Sequence, residues 1–137
     1  MIEHAFRLKY GQDLKFEIEN YCKENKINTA IILSGVGCVY EMKIRLAKAK
    51  SFLHESNDYE IVSLNGTISC GHAHLHIALS DDKGDVIGGH LMEGTKINTT
   101  CEVVLIELES YQSNREFDED SGYDEIKFER IKNGTNH

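Results

Sequence analysis

The sequence predicts an α+β fold: a compact single domain, mainly antiparallel sheet or barrel, with one main helix near the N-terminus. Three observations carry this expectation. Only the segment 13–25 repeats apolar residues at helical spacing, whereas much of the remaining chain alternates or runs in short apolar stretches bounded by turn residues. A length of 137 residues suits one domain spanning 1–137, and no linker, internal repeat or low-complexity tract divides it. A hydrophobic content of 40% supplies a real core at this size and argues against disorder.

Taken in order, Ile2, His4, Phe6 and Leu8 share one parity, with Glu3, Arg7 and Lys9 between them, which reads as a strand. Asp13 is a good N-cap for a helix over about 13–25, in which Leu14, Ile18, Tyr21 and Cys22 recur on one face and Glu17 and Glu19 lie near the positive end. Thr29 to Leu33 is a buried-type strand. Ser34-Gly35-Val36-Gly37 interrupts it with a bulge or a close backbone approach, and Val39 to Leu46 resumes it. Residues 47–58 read as a solvated connection. Tyr59 to Ser69 is apolar again, with Asn65-Gly66 as a turn or kink. His72 to Leu79 and Val86 to Met92 flank the turn residues Asp81 to Asp85, a hairpin pattern, and Asn98 to Leu108 adds a buried strand. The acidic segment 107–130 reads mostly as a charged loop, with Ile126, Phe128 and Ile131 marking a short final strand and Asn133 to His137 a frayed end.

Charge and composition narrow the function classes. The net charge is −8, but 107–130 holds nine acidic and three basic residues, so the body is nearly neutral. This disfavours a generic nucleic-acid binder, whose affinity comes from clustered Lys and Arg. The modest basic cluster of Lys43, Arg45, Lys48 and Lys50 is the candidate nucleic-acid contact, through Lys43 and Arg45 above all; a solvated strand edge is the plainer reading. No apolar run approaches the roughly 18 residues of a membrane span, and no secretory signal opens the chain. Cys22, Cys38, Cys70 and Cys101 are far apart with no CxxC pair, which fits isolated thiols in a reducing cytoplasm rather than a disulfide framework. Phosphate-loop, dinucleotide and GxSxG motifs are absent.

The chemistry-bearing string is His72-Ala73-His74-Leu75-His76, followed by Gly88-Gly89-His90. On a strand His74 and His76 project to one side, and His72 shares their parity. Centring the hairpin on Lys83 sets His76 opposite His90, where facing Cβ atoms are about 5 Å apart. A one-residue slip would turn His90 to the other face. Three converging imidazoles suit Zn²⁺, or another transition metal such as Cu²⁺, Ni²⁺ or Fe²⁺, and leave a fourth position for water or substrate. The competing reading is a set of ordinary buried, hydrogen-bonded histidines. His72 is an additional candidate ligand or the outer, solvated end of the strand. His4, His54 and His137 read as surface residues. Cys70 shares the cluster's parity, with a plain buried thiol as the simpler reading. Glu93 has the opposite parity to His90, and Glu60 and Glu102 read as solvated acids, so no catalytic acid or base is assigned.

The chain resembles the plant-and-prokaryote conserved (PPC) domain. The resemblance rests on Arg7-Leu8 with Gly11 and Asp13, on Ser34-Gly35-Val36-Gly37, on Tyr59 to Gly66, and most strongly on His74 to Asp81 followed by Gly84 and Gly88-Gly89-His90-Leu91. It implies a compact fold around an antiparallel sheet, a homotrimer, and distant fold kinship with acetolactate decarboxylase, a zinc enzyme whose metal is held by histidines. Prokaryotic members carry the HxH and GGH histidines, matching His74, His76 and His90. The expected function is therefore a metal-binding protein handling a small carbonyl or carboxylate compound, as sensor or enzyme. The alternative is the DNA-binding or protein-interaction role that the family label implies, with any metal structural. A chain without proline cannot contain the Arg-Gly-Arg-Pro hook that accompanies the DNA-binding plant members. Arg7 and Arg115 are available as anion contacts, with salt-bridge roles as the default.

Overall fold

In the computed structural model, which describes residues 1–132, the elements run β1 (Ile2–Lys9), α1 (Leu14–Glu24), β2 (Thr29–Arg45), a 3₁₀ turn (Ala47–Ala49), β3 (Phe52–Ser69), β4 (His72–Ser80), β5 (Val86–Leu91), β6 (Lys96–Glu107), β7 (Tyr111–Asp118) and β8 (Tyr123–Arg130). Six strands form one sheet in the order β1-β6-β2-β3-β4-β5, with every pairing antiparallel. The sheet curls until β5 also meets the far end of β2, pairing Ile44 with Leu91 and Arg45 with His90. The mainly antiparallel α+β domain expected from the sequence is the one observed.

Helix α1 forms where its cap is best. The Asp13 carboxylate accepts from the Phe16 amide at 3.0 Å and, with its other oxygen, from the Gly94 amide at 2.7 Å. One side chain thus starts the helix and ties it to the β5–β6 connection. Leu14, Ile18 and Cys22 face inward, and with Met42, Ile44, Leu75, Leu79, Leu91, Ile97 and Leu105 they fill the core. Each such aliphatic side chain contributes about 1.5–3 kcal/mol by leaving water.

Two long strands run unbroken through their glycine positions, and the bulge and close approach expected at Ser34–Gly37 are both present. β2 is continuous through Ser34–Gly37, and its register shifts between Ile32 and Ser34 and again between Gly37 and Cys38 show that the interruption is bulged strand. A Cβ at Gly37 would meet the Thr100 carbonyl oxygen at 2.0 Å, so the close approach is real as well. β3 also runs unbroken through Asn65-Gly66, where a Cβ on Gly66 would lie 2.0 Å from the His74 carbonyl oxygen. The glycine there permits strand contact rather than a turn.

Two segments read as loops are strands. Much of 47–58 is the start of β3, which pairs with β2 from Arg45↔Phe52 to Glu41↔Ser56. The charged 107–125 region contains β7, and with β8 it makes a hairpin pairing Tyr111↔Arg130 through Asp118↔Tyr123. The frayed end expected over Asn133 to His137, and the reading of His137, lie outside the described residues.

Candidate metal centre

The site is built on β4 and β5. Ser69 and His72 close a two-residue turn in which Cys70 and Gly71 both have positive φ, 50° and 78°. That is the turn whose twist matches paired strands, and it sets Thr67 opposite His74. Along β4, Ala73, Leu75 and Ile77 enter the core, so His72, His74 and His76 take the other face. At the far end the Asp81 carboxylate accepts from the Lys83 and Asp85 amides, each at 2.9 Å. This clamp fixes the next hairpin so that His76 faces His90. Gly88 and Gly89 press backbone against Ile77 and Arg45, so the two positions before His90 on that strand carry no side chain.

The three rings converge. Centroids are 5.3 Å apart for His74 and His76, 5.2 Å for His74 and His90, and 5.8 Å for His76 and His90. One nitrogen from each lies within 4.8 Å of the others. The His90 Nδ1 atom is buried and has no hydrogen-bond partner among the described residues. Burial, then the Arg45 guanidinium and the two neighbouring imidazoles, push the His90 pKa down to about 4. Burial, then His76 and Arg115, also lower that of His74, against a smaller opposing effect of Glu125. Both rings are therefore neutral near pH 7, the form that can donate a lone pair to a metal. Orphaned nitrogen, neutral rings and convergence together fit a transition-metal ion.

His72 does not join them. It is half-exposed at the outer end of β4, with Nδ1 3.9 Å from a Glu19 carboxylate oxygen that also accepts from Lys15 and the Ala73 amide. Cys70, expected as a buried thiol, is exposed, because the tight turn carries it outward; its sulfur lies 3.3 Å from the Ser113 carbonyl oxygen. His4, expected at the surface, is half-buried between the Tyr21 hydroxyl and Glu107, at 2.9 and 3.1 Å. His54 is exposed beside Glu41. Glu60, Glu93 and Glu102 are exposed and line neither cavity at the histidines.

Two open cavities flank the histidines. One, of about 390 Å³, reaches His72, His74 and His90 and is completed by Arg45, Arg115 and Glu125. The other, of about 620 Å³, borders His76, His90 and the glycines, under Lys48 and Ala49. Those two residues hold positive φ, 76° and 55°, a backbone conformation that costs energy outside glycine and concentrates at ligand sites. Arg45, a candidate nucleic-acid contact by sequence, thus lines the histidine cavities, with Tyr123 stacked 5.6 Å from its guanidinium. Lys43 lies over Phe52 at 6.0 Å. Arg7 donates to Thr100 at 3.1 Å in an exposed position.

Sequence reasoning missed what the β7–β8 hairpin contributes. Ser113 is buried against Thr29 and Ser69, with hydroxyl contacts of 2.7 Å to each, and its amide donates to Asn28 at 2.8 Å. Two residues further along the same face, Arg115 reaches the histidine cavity. The alternation of Tyr111, Ser113 and Arg115 was the available signal, but it is polar.

The model of the Plants and Prokaryotes Conserved (PCC) domain matches residues 1–109. The chain belongs to this family. Its PCC domain includes all three converging histidines, and the β7–β8 hairpin lies beyond the matched range. A solved hypothetical protein from Salmonella cholerae-suis superposes with a TM-score of 0.90 at 32% identity, covering 94% of each chain. A metal-containing protein from Archaeoglobus fulgidus superposes at 0.73 with 29% identity, over 96% of this chain and 94% of that one. A candidate DNA-binding protein from Bacteroides thetaiotaomicron, at 24% identity, TM-score 0.80 and 93% of each chain, shows the shared fold alone. In sequence, the Bifunctional protein GlmU of Synechococcus sp. (strain JA-3-3Ab) is 35% identical over 132 residues, 96% of this chain. The chain spans only 21% of that protein's length. Among the described residues, no helix is long and apolar enough to cross a membrane.

Proposed function

We propose that this PCC-domain protein binds a divalent transition metal, zinc foremost, through His74, His76 and His90, and offers its open side to a small carbonyl or carboxylate compound. The observation that carries this reading is the convergence of three ligand nitrogens within 4.8 Å, with no fourth His, Cys, Asp or Glu in the cluster among the described residues. Three imidazoles and a vacant position are the usual donor set of a zinc site that takes water or substrate. Bound there, the metal would polarise a carbonyl or lower the pKa of its water, and the chain's own part is to hold the three imidazoles converged and oriented. A sensor and an enzyme share this binding step. The metal-containing Archaeoglobus relative supports the reading by likeness. A homotrimer is part of it; Leu33, Val36 and Val62 leave apolar side chains exposed on adjoining β2 and β3, as an interface between copies would use.

The test is metal analysis of natively purified protein. Near one zinc per chain is expected, with loss in the H74A/H76A double variant. No metal after incubation at micromolar zinc overturns the reading.

The competing role is nucleic-acid binding through Lys43 and Arg45. It requires duplex DNA binding that weakens with salt and on charge reversal at both positions. Absence of a mobility shift at low salt removes it.

A further inference from the structure

Arg115 is partly buried, and three of its five N–H donors are unused among the described residues. Its Nη1 donates to the Asp124 carbonyl oxygen at 3.0 Å, within its own hairpin. Its Nε and Nη2 are buried and have no partner among the described residues. These two N–H groups lie along one edge of the guanidinium and point the same way, the fork that grips two oxygens of one anion. Leaving such donors unpaired away from water is costly, and native proteins seldom do so without reason. The same side chain lines the 390 Å³ cavity with His74 and His90.

We propose that Arg115 is the anchor for a small carboxylate, held by the Nε–Nη2 edge beside the three-histidine centre. This rests on the metal reading for what lies next to the anion, but not for the anion itself. A carboxylate suits the fork because its two oxygens match the two parallel donors. Phosphate offers the same oxygen geometry with more charge, and Glu125 in the wall of the same cavity opposes a dianion. The Arg45 guanidinium, which lines the same cavity, adds positive potential, and its stacking on Tyr123 holds it to the β7–β8 hairpin. The hairpin is pinned at Ser113, two residues from the anchor, so the guanidinium is delivered by a fixed strand rather than a mobile tip. Ligand choice would then lie in a segment beyond residue 109, outside the matched family range, while the histidines lie within it.

Ligand-observed NMR titration of the zinc-loaded protein with acetate, pyruvate and, separately, inorganic phosphate tests the assignment against R115Q and R115K. Acetate and pyruvate should bind the parent protein, and both variants should weaken them about 10–100-fold. R115K keeps the charge and loses the fork, so its failure to rescue marks bidentate capture. Unchanged zinc content and circular dichroism in either variant excludes misfolding as the cause. Undiminished carboxylate binding in R115Q, no carboxylate binding by the parent, or a preference for phosphate overturns the proposal. The same titration on metal-free protein separates the two readings. Arg115-dependent acetate binding by a chain that takes up no zinc sinks the metal site and leaves the anchor standing. Zinc retained with carboxylate binding indifferent to Arg115 does the reverse.

Discussion

His76 stands directly across from His90 in the β4–β5 ladder, with ring centroids 5.8 Å apart. This pairing makes the site a property of one hairpin, completed by His74 one step along the same face. His72 has the same parity and is nevertheless 53% exposed at the outer end of the strand.

The contrast between His90 and His72 is therefore a sharp test of ligation. On the proposed ligation, H90A should lower zinc affinity by more than the roughly 10–100-fold that loss of an outer partner costs. H72A should leave zinc stoichiometry at the parent value. Competition with a chromogenic chelator measures both. Equal loss in the two variants would place His72 in the coordination sphere and break the parity argument.

The histidine pairing was legible because the turn that sets it is written in residues with one job each. Asp81 clamps the loop through two amides, and Gly84 takes a φ of 84° that other residues resist. Helix α1 was legible for a similar reason, since Asp13 caps it and Leu14, Ile18 and Cys22 mark its inner face. β7 was not, because its inward positions Tyr111, Ser113 and Arg115 meet polar or charged partners. Hydrophobic periodicity cannot detect a strand that buries a hydroxyl against Ser69 and Thr29 and a guanidinium in a cavity. The first part of β3 was hidden differently. Residues Phe52 to Asp58 are mostly exposed, so neither face alternates. Arg115 was visible as a cation, but nothing in its neighbours marked it as facing the histidines.

Gly66 offers a test of how strand contact supports the site. Its φ is 149°, and a methyl group there would run into the His74 carbonyl oxygen. G66A should destabilise the fold by about 1–3 kcal/mol or more, since the obstruction is backbone and cannot swing aside. Urea unfolding of metal-free protein gives the value. Zinc affinity should fall as well, because the strand that must shift carries His74. A neutral substitution would mean that β3 and β4 separate at this point without cost.

The thiols supply a pH-dependent test. Burial, then nearby carboxylates, push Cys22 up to about 11, and burial together with Glu102 pushes Cys101 up to about 12; neither side chain reaches solvent. Burial likewise raises the pKa of the partly exposed Cys38. Cys70 is the exposed thiol. Only a thiolate reacts with a disulfide reagent such as DTNB. At pH 8 the folded protein should therefore show one fast thiol, abolished by C70A, and a slower one from Cys38. Cys22 and Cys101 should react only after denaturant is added. The sign of the stability effect follows from the same shifts. The folded state holds both protons more tightly than the unfolded chain, whose thiols ionise near 9. Their contribution is complete below that pH and declines as pH rises from about 9 towards 11–12. A urea midpoint that falls over this range in the parent, and falls less in C22A/C101A, is the expected result. Rapid labelling of all four thiols at pH 8 without denaturant would show that the core around α1 and β6 opens far more readily than its packing implies.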